Sequence, residues 1–203
     1  MRIRAWLFAA CALSFGLGTA HAQNYSTGAV DIYNTCNTGP DLPQTIPEAA
    51  NVRHWWDLAK FPQVSRWENS DVWNTDFTDG STGDLEPQGG SDVANIYFFT
   101  GHGTCQSTPQ ATDPDFLVTC SGGTLGSTNI GTKSRWGNAG GHSRFMLLDA
   151  SCPMDLVSLS NNWFPPFRGL HVATGHSGNR THDTLDSSSR GDQFAARTVG
   201  VTT

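Results

Sequence analysis

Two apolar segments end in side chains able to do chemistry. "NIYFFTGHG" (residues 95–103) delivers His102 between two glycines, and "FMLLDASC" (residues 145–152) delivers Cys152. The reactive form of cysteine is the thiolate, so a working Cys152 needs a base or a cation beside it. An imidazole supplies the base and can later protonate a leaving amine. Cys152 also precedes "PMDLVSLS", a short helical pattern with Pro153 at its first position, and a helix N-terminus favours a thiolate. Gly103 allows close backbone approach, so its N–H and that of Cys152 can serve a developing oxyanion. Ligand sites of open α/β sheets lie beyond the carboxyl ends of strands. If the two strands are neighbours, His102 is the general acid/base for Cys152.

Asp149 stands three residues before Cys152, where it could orient His102 or meet a substrate amine. His176 and Asp183, with Asp186, follow a later apolar segment and are expected to line the cleft and bind substrate. Zinc prefers histidine and cysteine, and His142, His171 and His176 could join Asp149 and Cys152 around it. No two of these stand at a ligand spacing such as H-x-x-x-H or C-x-x-C, so no metal and no cofactor is expected. His171 reads instead as a core residue between Leu170 and Val172. The bland alternatives are a His102 that braces a loop and a Cys152 bridged to Cys36, which would leave a non-catalytic binding or structural module.

The elements that must position these groups follow from the rest of the chain. Residues 1–22 carry Arg2 and Arg4, an apolar run and Ala20-His21-Ala22, the order of a secretory signal peptide cleaved after Ala22. The protein is therefore expected to be secreted or periplasmic, with one domain over residues 23–203. The 203 residues hold 18 acidic and 12 basic side chains, a net charge of −6, and losing Arg2 and Arg4 makes it −8. Such a surface, without a basic cluster, disfavours nucleic acid and anionic membranes as partners. Cys36, Cys105, Cys120 and Cys152 remain, and three pairings are possible. Cys105–Cys120 is the expected bond, contributing about 3 kcal/mol in the loop-entropy account.

"GAVDIYN" (residues 28–34) alternates and predicts a first strand, and "IPEAANVRHWWDLAKF" predicts a helix ended by Pro62. Residues 65–90 and 103–141 read as irregular, with Trp67, Trp73 and Trp136 in loops where they either stack on sugars or pin the loop to the core. Strands are predicted at 95–100, within "RFMLLDA" and within "GLHVATG", and "DQFAART" opens a final helix. Strands alternating with helices predict an α/β domain with a largely parallel sheet flanked by helices and long irregular loops. No closing strand follows the last helix before Thr203, so the fold is either small or continues further.

The order Gly101-His102-Gly103, then Ala150-Ser151-Cys152, then Trp163 through Gly175 with its "GLH" resembles the caspase-hemoglobinase-fold (clan CD-like) cysteine peptidases. The nearer resemblance is to a bacterial secreted family with GHG, A-x-C and GLH motifs. The resemblance covers roughly residues 93–200. It implies a caspase-like sheet, a His102/Cys152 dyad, hydrolysis of a peptide or protein substrate, and no cofactor.

Overall fold

The computed structural model describes residues 23–36, 39–79, 90–104, 116–121, 124–129, 133–137, 140–151, 166–176 and 187–200. Its centre is a five-stranded sheet in which every pairing is parallel: β1 (Tyr25–Ala29), β2 (Gln63–Glu68), β3 (Ile96–Thr100), β7 (Phe145–Asp149) and β8 (Val172–Gly175), in the order β2-β1-β3-β7-β8. A smaller antiparallel sheet of β4 (Gly103–Thr104), β5 (Phe116–Ser121) and β6 (Thr124–Asn129) follows directly from β3. The expected α/β class with a largely parallel sheet, flanking helices and long loops is the observed one.

β3 explains why the centre reads as a continuous apolar run. All five of its residues are buried. Ile96 and Phe98 join Tyr25, Val52, Trp56 and Ala195 on one face, while Tyr97 and Phe99 join Phe77, Trp136 and Leu148 on the other. A parallel strand covered on both faces needs apolar residues at every position. Helix α1 (Thr45–Leu58) buries Thr45, Glu48, Ala49, Val52, Arg53 and Trp56, a stripe at helical spacing. Its Pro47 falls in the first turn, where no intrahelical donor is needed. Helix α2 (Ser187–Thr198) packs beside α1 on the same face. Trp55 Nε1 donates to Asp192 at 2.5 Å, and Trp56 Nε1 donates to Thr198 Oγ1 at 2.9 Å.

Among the described residues, irregular chain covers the other face. Phe77 meets Phe99 edge-on with ring centroids 5.1 Å apart. Trp136, expected in a loop, is fully buried there, and its Nε1 donates to Ser91 Oγ at 2.8 Å. Buried Asp92 organises the surrounding turns by accepting the N–H groups of Gly137 and Ser143, and burial raises its carboxyl above the ordinary range. Trp67 packs partly buried against this core and Trp73 is half exposed.

Several expectations need correction. The first strand is Tyr25–Ala29, not residues 28–34. Gly28 is required within it because a Cβ there would lie 2.5 Å from the Tyr97 hydroxyl. Val30 and Tyr33 bury themselves from a loop instead. The stretch after residue 63 is not wholly irregular, since Gln63–Glu68 pairs with β1. Residues 103–141 contain the β4–β6 sheet. His171 is exposed and packs edge-on to Phe145, with only Leu170 of its neighbours in the core. The expected Cys105–Cys120 bond is also overturned: Cys120 is joined to Cys36, with Cα atoms 5.8 Å apart. Spacing along a chain says little about distance across β5, and geometry decides the pairing.

Candidate functional site

The chain runs from β1 through α1 to β2 on one side, then returns past β1 to form β3 on the other. Such a reversal of strand order opens a crevice at the carboxyl ends of the two strands. His102 lies there. Its backbone N–H donates to the Tyr33 hydroxyl at 2.8 Å, and its ring meets the Tyr33 ring at 4.3 Å. Nε2 lies 3.0 Å from the Pro40 carbonyl, to which it donates. In the neutral ring this leaves Nδ1 as the basic nitrogen. Tyr33 and Pro40 belong to the loop after β1. Asp41 shapes that loop by accepting the N–H groups of Asn34 and Tyr33, which hold its carboxyl below the usual range. Burial keeps the Tyr33 phenol well above its ordinary value, so it remains a neutral hydroxyl.

β3 and β7 are hydrogen-bonded neighbours in register, Thr100 opposite Asp149, and Gly101 N–H donates to the Asp149 carbonyl. Gly103 is pressed against Ser151: a Cβ at position 103 would collide with the Ser151 carbonyl oxygen. The backbone after His102 thus touches the backbone immediately before Cys152. Gly103→Ala is expected to force the two strand ends apart, costing about 1–3 kcal/mol. Urea unfolding of the variant checks this, and an unchanged midpoint would contradict the contact.

Both carboxylate oxygens of Asp149 are engaged. Its side chain is 2 % exposed and accepts from His176 Nε2 at 2.6 Å and from Arg190 Nε at 3.4 Å. Glu48 of α1 shares a hydrogen bond with Asp149, accepts from Thr100 Oγ1 at 2.8 Å, and accepts the Gly191 N–H at 3.0 Å. Burial first, then the shared hydrogen bond and the charge of Asp149, push the Glu48 carboxyl up to about 9. Two carboxyl groups in contact and out of water cannot both ionise cheaply, so Glu48 keeps its proton and donates it to Asp149.

One family model, described as a domain of unknown function (DUF6345), matches residues 30–203. The chain belongs to the DUF6345 family. No curated protein and no solved structure matches it.

In this DUF6345 chain the structure brings His102, Gly103, Asp149 and His176 to one end of the parallel sheet. Cys152, Asp183, Asp186, Cys105 and the expected helix after Cys152 lie outside the described residues. His142 precedes β7 and His171 precedes β8, so both stand at the opposite end from His102 and His176. Four to five strand residues, about 13–17 Å, separate the two pairs, and the histidines do not converge. Among the described residues no group of three or more metal-ligating side chains occurs, and no helix is long and apolar enough to cross a membrane. Sequence reasoning missed Glu48, Thr100, Arg190 and Gly191. The available signal was Glu48 itself, an acid on the same helical face as Val52 and Trp56.

Proposed function

We propose that this protein is a secreted, caspase-like cysteine hydrolase that cleaves a peptide or protein substrate by acyl transfer, with Cys152 as nucleophile and His102 as general acid/base. The observation that supports this best is the parallel β3–β7 pairing, with Gly103 packed on Ser151. In the reaction, His102 Nδ1 takes the Cys152 proton and the sulfur attacks the scissile carbonyl. The carbon–nitrogen bond breaks as the imidazolium protonates the leaving amine. Water then gives a proton to His102, attacks the thioester, and releases the acid and the thiol. Backbone N–H groups of Gly103 and Cys152 are assigned to the oxyanion. The signal at residues 1–22 and the Cys36–Cys120 disulfide together favour an oxidising compartment.

The disulfide also bears on the rival reading of a non-catalytic module. Cys36 is already engaged, so a bridged Cys152 in the processed chain would have Cys105 as its partner. Alkylation without reductant, followed by mass mapping, tests the reading. A free Cys152 thiol is expected, labelled by a peptidyl thiol trap and unlabelled in Cys152→Ala. Peptide hydrolysis should drop roughly 10²–10⁴-fold in His102→Ala. Recovery of a peptide pair joined at Cys152 would end the hydrolase proposal.

A further inference from the structure

Resting on the assignment of Cys152 as nucleophile, we infer that His176 is a specificity-determining residue of the same cleft, an imidazole whose second ring nitrogen has no hydrogen-bond partner among the described residues and in the neutral ring accepts a hydrogen bond from a donor group on the substrate. The sheet order carries the argument. β7 lies between β3 and β8, so the strand leading to Cys152 is flanked by two strands that each end in a histidine. Leu148 pairs with Gly175, which sets His176 level with Asp149, three residues before the nucleophile.

The His176–Asp149 pair has one buried end and one open end. The Asp149 side chain is 2 % exposed and that of His176 is 24 % exposed. Asp149 is held from behind by protonated Glu48 on α1 and from the side by Arg190 on α2. A carboxylate fixed in this way commits Nε2 as the donor, and the other ring nitrogen, Nδ1, which has no partner among the described residues, is open to an incoming group. In the neutral ring Nδ1 can only accept, which selects an amide N–H, a hydroxyl or an ammonium group. A protonated ring can only donate, which reverses the selection toward a carboxylate. Besides His102, the described charged or titratable groups gathered around the pair are Glu48, which keeps its proton through neutral pH, and Arg190.

The test compares alkylation of Cys152 by neutral iodoacetamide and by anionic iodoacetate between about pH 5 and 8, the range in which imidazoles titrate. The iodoacetate-to-iodoacetamide rate ratio is expected to rise on acidification. His176→Gln should remove a roughly three- to tenfold part of that rise, the size expected of one nearby charge, and His102→Gln should leave that part in place. Asp149→Asn should also diminish the same component, because the carboxylate that orients the ring is lost. A purely structural tie between β8 and β7 would leave the ratio unchanged in His176→Gln and Asp149→Asn, and identical profiles for wild type and His176→Gln overturn the assignment.

If Cys152 labels in no variant, the nucleophile reading fails separately. His176 is then judged in the wild-type protein by histidine-ring ¹H–¹⁵N spectra. A proton on Nε2 with Nδ1 bare, and an Nδ1 resonance that moves on titration with N-methylacetamide, supports the inference. An Nδ1-protonated tautomer, or an unmoved resonance, overturns it.

Discussion

Cys36→Ser/Cys120→Ser is expected to lose about 4–5 kcal/mol of stability, because the bond spans 84 residues and removes that much loop-closure entropy from the unfolded chain. Reductant should reproduce the loss in the wild-type protein, and urea unfolding with and without it makes the comparison. A difference below about 1 kcal/mol would mean that the crosslink does little for the native state. The variant should also react more slowly at Cys152 under conditions where it is still folded. Cys36 ends the 3₁₀ turn Asn34–Cys36, and it lies between Tyr33 and Pro40, the two residues that hold His102. Releasing Cys36 from β5 loosens the loop that fixes the orientation and tautomer of the imidazole. A labelling rate equal to wild type, measured well below the unfolding midpoint, would separate the crosslink from the site.

Stability is expected to fall as pH rises from about 5 toward 9, and Glu48→Gln to remove that fall. The unfolded chain gives up the Glu48 proton near the ordinary value of 4.5, whereas the folded protein keeps it up to about 9. Between those values the unfolded state binds fewer protons, so the free energy of unfolding declines with pH. The contribution is fully present below the unfolded value and is lost as pH rises through the folded one. Glutamine stays neutral throughout, can accept the Gly191 N–H with its one oxygen, and can offer its N–H groups to the Thr100 hydroxyl and to Asp149. The gap between the two proteins should therefore change in favour of Glu48→Gln by up to about 1.4 kcal/mol per pH unit. Urea titrations at several pH values check it. Parallel curves for the two proteins would show that Glu48 ionises normally.

The parts of the fold that could be read from sequence were those whose environment is uniform. β3 and β7 carry long apolar runs because both faces of the sheet are covered, and α1 shows its stripe because one side packs on the sheet. β1 was misplaced for a physical reason. After Tyr25, Ser26-Thr27-Gly28-Ala29 fills little space, and the bulk beside it comes from Tyr97, Phe98 and Phe99 on the neighbouring strand. β2 is an edge strand with largely exposed or half-exposed side chains, so its pattern carries little signal. In the site, His102 was legible because a strand ending in Gly-His-Gly announces its position. Glu48 resembled an ordinary first-turn acid stabilised by the helix dipole. Its partners Asp149 and Gly191 are about 100 and 143 residues away, a relation that no local pattern encodes.

The clasp between α1 and α2 bears on how the chain is made. Trp55, Trp56 and Glu48 emerge from the ribosome early, yet their partners Asp192, Thr198 and Gly191 are translated more than 130 residues later. Until then the sheet can cover α1 on one side, through Tyr25, Ile96, Phe98 and Thr100, but the side that meets the last helix stays open, a natural target for holdase chaperones. A nonsense codon anywhere upstream of Ser187 would leave the α2-facing side of the first helix permanently open, marking the fragment for proteolysis however well its central strands had paired.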